Sequence, residues 1–529
     1  MTNIGRRAGL VLAVLFGLGA SGCTDLLVEP KSSVTGANIF TDEAAYESFL
    51  AKVYAGLALS GQQGPAGEPD IEGIDEGFGQ YIRGYWQLQE LPTDEAVIGW
   101  GDAGLPEMVT SQWASSNQFI TAMYYRIFFQ IALANEFLRE TSDEALAARG
   151  HSGLVAIPQF RAEARALRAL SYWHGMDLFG PIPMVTEDYE AGSAPPEQVS
   201  RAEVFTFVEN ELTDPAVVGQ LPAVGAAEYG RLDQGAVAMI LAKLYLNAEA
   251  YGVGARYADA MTQAQIVISG PYTLDPNFQD MFLADNHTSP ELVFAVPFDG
   301  TRTQTWGGTT FIAHASVGGT MDPADFGIDG GWFGLRVTQQ FVNLFEGGAG
   351  GPDGRADILY TDNQQLTVTS LGTFEHGFAY PKYSNVTSLG VAGSHSTHTD
   401  IDFPMFRLAD ALLIYAEACL RSGGGACEAT ALTYVNAVRQ RAYGNTSGNI
   451  TPVELTLDFI LDERARELAW EGHRRQDLIR YGLFTGDVYL WAFKGGVATG
   501  AATPATRDLY PIPAIEIVSN PNVDQNPGY

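Results

Sequence analysis

Apolar residues recur every three or four positions over much of this chain, and the runs stop at glycine or proline. Such a chain builds helices joined by turns more readily than any other architecture. The clearest run is 160–179, followed by Gly180-Pro181-Ile182-Pro183. Glycine accepts the backbone conformation that ends a helix, and proline cannot continue one. Further helices are predicted from Thr41 onward, through Ala45, Phe49, Val53 and Leu57, and over 117–139, 201–212, 232–249 and 255–269. The same pattern returns at 406–420, 430–443, 456–475 and 476–483, with Gly423-Gly424 and Gly444 as stops. Helices paired in this way stack as an α-solenoid of tetratricopeptide type, although the chain lacks a clean repeat of about 34 residues. The expected fold class is mainly α, an α-superhelix of tetratricopeptide-like helix pairs with a large irregular loop-rich region.

Two blocks interrupt the helices. Residues 60–111 are rich in Gly, Pro and acidic residues and also carry Tyr81, Tyr85, Trp86 and Trp100. Residues 271–405 are rich in Gly, Thr and aromatics, and only 291–297 alternates weakly like a short strand. Disordered segments seldom carry so many aromatics, so both blocks read as ordered irregular structure. Long loops on a rigid scaffold commonly bear the binding residues. The Pro- and Asn-rich tail that ends at Tyr529 is expected to lie along the helices.

The first residues read as an export signal. Arg6 and Arg7 precede an apolar or small-residue run from Ala8 to Ala20, which is too short to cross a hydrocarbon core of about 30 Å as a helix. Ala20-Ser21-Gly22-Cys23 resembles the lipobox of bacterial lipoproteins, with Ala20 where many lipoboxes carry Leu. The expectation is a lipid on Cys23 as the sole membrane anchor. The formal charge of −32 becomes −34 once Arg6 and Arg7 are cleaved away, since no acid precedes Cys23. So acidic a body repels nucleic acid and anionic headgroups. Cys419 and Cys427 flank a Gly-rich turn, and two readings stay open, a disulfide or one buried and one free thiol.

Two clusters look chemical. Glu463, Glu467 and Glu471 fall on one face of the predicted 456–475 helix, where Glu471 would pair with Arg475. A glycosidase needs two carboxylates on opposite sides of a sugar ring, which one helix face does not supply, so the cluster reads as a structural ion-pair network. His287, His314, His376, His395 and His398 all lie in the second loop block. His395, His398 and Asp400 have metal-like spacing, but their Ser, Thr and Gly neighbours read as a solvated loop. Neither a catalytic residue nor a metal or other cofactor is expected.

Three segments in order resemble the SusD/RagB family of outer-membrane nutrient-binding lipoproteins. They are 161–173 with the Leu178-Phe179-Gly180-Pro181-Ile182-Pro183 stop, then 406–417 with 435–442 and 462–480, and finally Tyr510-Pro511-Ile512-Pro513 through Asn520-Pro521 to the Asn526-Pro527-Gly528-Tyr529 ending. The lipobox and 91–95 also fit. The resemblance implies a signal peptide over 1–22 and a lipidated tether over 23–40. It implies an N-terminal helical region over 41–270 with its insertion at 60–111. A C-terminal region over 271–529 follows, with loops at 271–405, helices at 406–483 and the tail at 484–529. It further implies a non-catalytic protein at the outer face of the outer membrane that binds oligosaccharide or polysaccharide and passes it to a SusC-like TonB-dependent transporter. The alternatives are a peptide-binding (RagB-like) member, and at a lower rank a helical-repeat adaptor or a secreted glycosidase. A sugar needs a flat aromatic face for its C–H side and directional polar groups for its hydroxyls. Trp86, Tyr81, Tyr85, Arg83, Trp100 and Asp102 supply both in the first block. Trp306, Trp332 and Phe333 supply more in the second, with Asp299, Arg302 and Gln304 nearby. Trp100 and Trp306 are the preferred contacts because glycines surround them.

Overall fold

The computed structural model describes residues 39–189 and 192–529. Cys23, its signal peptide and the tether up to residue 38 lie outside the described residues.

The principal helices are α1 (Glu43–Ala58), α2 (Tyr81–Glu90), α3 (Gln118–Glu140), α4 (Ile157–Phe179), α5 (Arg201–Thr213), α6 (Gln234–Leu246) and α7 (Tyr257–Ile268). After them come α8 (Gly308–Ala315), α9 (Leu408–Arg421), α10 (Glu428–Tyr443), α11 (Leu457–Leu468) and α12 (Arg474–Arg480). Short strands are β1 (Val97–Ile98), β2 (Leu292–Val296), β3 (Leu335–Arg336) and β4 (Phe403–Arg407). The helix ends follow local chemistry. Asn117 caps α3 by accepting from Phe119 N and Ile120 N. Ser200 and Glu203 form a reciprocal capping box at the start of α5. Gly180 ends α4 and Gly444, at φ 65°, ends α10.

Neighbours in sequence pack as pairs: α3 on α4, α4 on α5, α6 on α7, and α9 on α10. The stack then skips a long excursion, because α7 packs on α9 although residues 269–407 separate them. Likewise α1 packs on α3 and α4 across the first block. Both loop blocks are therefore insertions between helices that touch. Helix α6 is buried at every position from Gly235 to Leu246, as a mostly apolar interior helix must be, and its one charge, Lys243, pairs with Asp410 at 3.1 Å. Cys419 and Cys427 are joined as a disulfide between α9 and α10.

Several expectations need correction. The first block is not irregular throughout, because Tyr81–Glu90 forms α2, with Gln80 as N-cap accepting from Arg83 N. The segment from Phe406 begins as strand β4, which pairs antiparallel with β2, and the helix starts only at Leu408. The predicted helix 456–475 breaks between Leu468 and Arg474, where Trp470 and Gly472 have φ of 65° and 80°. Glu471 thus leaves the helix face. Its carboxylate accepts from Arg407 Nε and Lys382 Nζ, both at 2.6 Å, while Arg475 instead pairs with Asp177 at 3.1 Å.

The buried charges fall into two main networks, one around Arg407 and Arg355 and one around Arg464. Arg407 reaches Glu291, Glu467 and Glu471, and Arg355 reaches Asp353, Glu463 and Glu467. Arg439 and Arg466 close on Glu463, and Arg464 bridges Asp410 and Asp477. Burial pushes the Glu463 carboxyl up, but Arg355, Arg466 and Arg439 together outweigh it and hold the pKa at about 2. Each carboxylate is satisfied by guanidinium forks, the condition under which buried charge is tolerable.

Candidate ligand-binding site

The two insertions meet at one place. Val97 and Ile98 of β1 pair antiparallel with Arg336 and Leu335 of β3. Gly99 N then donates to Gly334 O at 3.0 Å. This short ladder sets Trp100 beside Trp332, and Trp100 Nε1 donates to Trp332 O at 2.9 Å. Gly334 is required here: a Cβ on it would lie 2.8 Å from the Trp100 ring. The indole therefore rests directly on the backbone.

Trp332 is held from behind by α8. Its N–H donates to His314 O at 2.8 Å, and its ring stacks on the His314 imidazole at 4.6 Å and 22°. The two His314 ring nitrogens lie 2.7 Å from Gly330 O and 3.0 Å from Thr397 O, which fixes the imidazole. Burial lowers the pKa of His314. Trp306 has its own support, with His398 at 4.8 Å between ring centroids and Arg83 Nη1 donating to Trp306 O at 2.9 Å.

The three indoles form an arc. Trp100 and Trp332 are 6.1 Å apart at 47°, and Trp306 and Trp332 are 6.2 Å apart at 49°. All three are half-buried, so each ring keeps an accessible part. Polar groups flank them. The Arg83 guanidinium lies over the Phe311 ring at 4.2 Å, and its Nε is buried without a partner. Burial brings the Arg83 pKa down to about 10, against the opposing pull of Asp75 and Asp102, so it stays charged at neutral pH. Asp102 is exposed at the rim. Asp299, Arg302 and Gln304 lie on the loop just before Trp306, where Asp299 turns back on Thr301 and Gln304 on Gly300.

Sequence reasoning placed too many aromatics here. Tyr81, Tyr85 and Trp86 are core residues of α2, exposed by 0%, 2% and 0%. Their polar ends are used inside, Tyr81 at His174, Tyr85 at Gly472 O and Trp86 at Trp470 O. With both faces covered, they have none left for a ligand. Conversely His398, expected in solvated loop, is buried behind the arc together with His314. A histidine stacked under a tryptophan has no signature in local sequence. The Gly330-Gly331-Trp332-Phe333-Gly334 run, like the glycines beside Trp100 and Trp306, hints that the backbone here comes close to rings. Asp400 caps Gly300 N and Ser394 N, and among the described residues no cluster of three or more His, Cys, Asp or Glu could hold a metal.

A separate cavity of about 440 Å³ lies between α1, the 228–231 turn and β2. Leu50, Ala51, Ala55, Leu57 and Ala58 form its apolar side, with Glu47, Glu228 and Arg231 at the other, and none of the three loop tryptophans lines it. The arc, with its supported rings and flanking charges, is the candidate site.

Comparison with known proteins agrees with this architecture. A family model described as the SusD family matches residues 356–529. The chain is 32% identical to the "Starch-binding protein SusD" of Bacteroides thetaiotaomicron, over 98% of this chain and 98% of that protein. The chain belongs to the SusD family. A "SusD-like protein P25" of Formosa agariphila is 26% identical over 68% of this chain and 70% of that one. Among solved structures, a SusD superfamily protein of Bacteroides thetaiotaomicron superposes with a TM-score of 0.70 at 20% identity, covering 92% of this chain and 99% of that one. Surface glycan-binding protein A of the same organism, in complex with laminarihexaose, superposes with a TM-score of 0.69 at 19% identity and the same coverage. At such identity these two speak for the SusD-type fold alone, and that fold, mainly helical with tetratricopeptide-like pairs, is the one described above.

Proposed function

We propose that this chain is a non-catalytic glycan-binding lipoprotein of the cell surface. Lipid on Cys23 tethers it to the outer membrane, and its body captures oligosaccharide or polysaccharide for a SusC-like TonB-dependent transporter. The observation that carries the reading is the arc of Trp100, Trp332 and Trp306. Each ring is braced from behind, at Gly334, His314 and His398, so it offers a preorganised apolar face at little ordering cost. Arg83 and Asp102 stand beside the arc as partners for hydroxyls. Kinship to a starch-binding relative makes starch the first glycan to test. The carboxylates that would serve a glycosidase are instead enclosed by arginines.

The test is affinity electrophoresis through gels containing starch or other polysaccharides, comparing wild type with Trp100→Ala and Trp306→Ala. Retardation of the wild type, lost in both variants, is expected. Retardation unchanged in both would remove the arc from the account. Absence of retardation on every glycan, with binding of oligopeptides instead, would transfer the site to the peptide-binding branch.

A further inference from the structure

Immediately after Trp332 the chain turns a fourth ring outward. Phe333 is 52% exposed and holds a φ of 53°, a left-handed conformation in which a bulky side chain is strained. Such strain persists only where surrounding structure imposes it, and it gathers at ligand sites. Here the clamp is visible. Three successive N–H groups, of Trp332, Phe333 and Gly334, donate to His314, Val317 and Ala315 carbonyls at 2.8, 3.1 and 2.9 Å. The end of α8 and the turn after it thus set the direction of both rings.

The Phe333 ring is seated as the Trp100 ring is. A Cβ on Gly318 would lie 2.7 Å from it, just as one on Gly334 would lie 2.8 Å from Trp100. The ring therefore sits close against bare backbone at Gly318. Phe374 braces the edge at 5.6 Å and 67°. Polar groups share this wall. Thr320 Oγ1 lies 2.9 Å from the Tyr360 hydroxyl and donates to Asp362 Oδ2 at 3.1 Å. Gln364 Oε1 accepts from Ala379 N, but its Nε2 is buried without a partner. A Cβ on Gly319 would have the Phe374 ring at 3.6 Å and Gln364 Nε2 at 3.9 Å as neighbours, so the donor and the rings adjoin.

We propose that Phe333 is an accessory glycan-binding platform. It takes a sugar unit of a chain longer than the tryptophan arc can hold, with Tyr360, Asp362 and Gln364 as partners for its hydroxyls. A strained, supported and exposed ring beside an unpaired amide has the two chemistries a pyranose needs. The inference rests on the glycan reading and extends its site by one platform.

The test is isothermal titration calorimetry with a short and a long malto-oligosaccharide. Phe333→Ala is expected to weaken the long chain about tenfold and leave the short one unchanged. Phe333→Gly relieves the left-handed strain, so its melting temperature stays at or above wild type while the long-chain loss persists. Phe333→Trp keeps long-chain affinity. Equal weakening of both lengths would overturn the proposal, because the ring would then only support Trp332, and so would no change at either length. Trp332→Ala separates the two ideas: short-chain binding that survives it would sink the arc itself, and a wild type that binds neither length would overturn the accessory platform, while the glycan reading stands or falls on the polysaccharide gels.

Discussion

The tryptophan arc and the arginine–carboxylate interior are opposites in appearance and, on the proposed reading, in use. The interior holds Glu463, Glu467, Glu471 and Asp477 within a short stretch, each fully or nearly enclosed and met by guanidinium groups. On paper it resembles a catalytic centre. Its charges all face one another, and it joins α9, α10 and α11 to β2, β4 and the second insertion. The arc holds large apolar rings that stand in loop blocks, with charge only at its flanks. Its rings are half-buried and rest on glycine backbone and histidine planes. Charge density therefore marks what holds this molecule together, and on the proposed reading the half-buried rings of the arc are what it offers to a ligand.

Removing one side of the buried network should give the largest effect. Arg407→Ala leaves Glu291, Glu467 and Glu471 short of their shared guanidinium and is expected to cost about 3–5 kcal/mol of stability, read from urea unfolding. A loss below about 1 kcal/mol would break the comparison, since the interior would then not be structural.

Acid should act on the same region. The Glu463 pKa is depressed from 4.5 to about 2 in the folded state, so its contribution is present above pH 4.5 and disappears as pH falls toward 2. The shift corresponds to about 3 kcal/mol. Unfolding free energies measured between pH 5 and pH 2 should fall with acid, and Glu463→Gln should flatten that part of the profile. A profile as steep in the variant as in wild type would assign the acid sensitivity elsewhere.

A charge at the arc should behave differently. Asp102 is exposed, so Asp102→Asn is expected to change stability by less than about 0.5 kcal/mol while altering glycan retention in the gel. A stability loss comparable to that of Arg407→Ala would erase the distinction between the two regions.

Much of the helical framework was legible because its signals are local. The period over 160–179, the Asn117 and Ser200 caps and the Gly180 and Gly444 stops all operate within a turn or two of chain. Errors arose where distant residues decide. Residues 81–90 look like part of a loop in a glycine-rich block, yet they form a helix because Trp86 and Tyr85 find Trp470 and Gly472 far along the sequence. The helix over 456–475 breaks because Glu471 is drawn to Arg407 and Lys382, an attraction that no i, i+4 rule contains.

The sequence by itself determined a chain of paired helices, the two blocks that interrupt them and the family to which it belongs. It also named Trp100, Trp306 and Trp332. Tertiary structure alone decided that these three share one arc, while Tyr81, Tyr85 and Trp86 are walled in. The physical reason is that helix signals are carried by residues a few positions apart. The exposure of a ring depends instead on which backbone arrives beneath it, here Gly334, Gly318 and the end of α8.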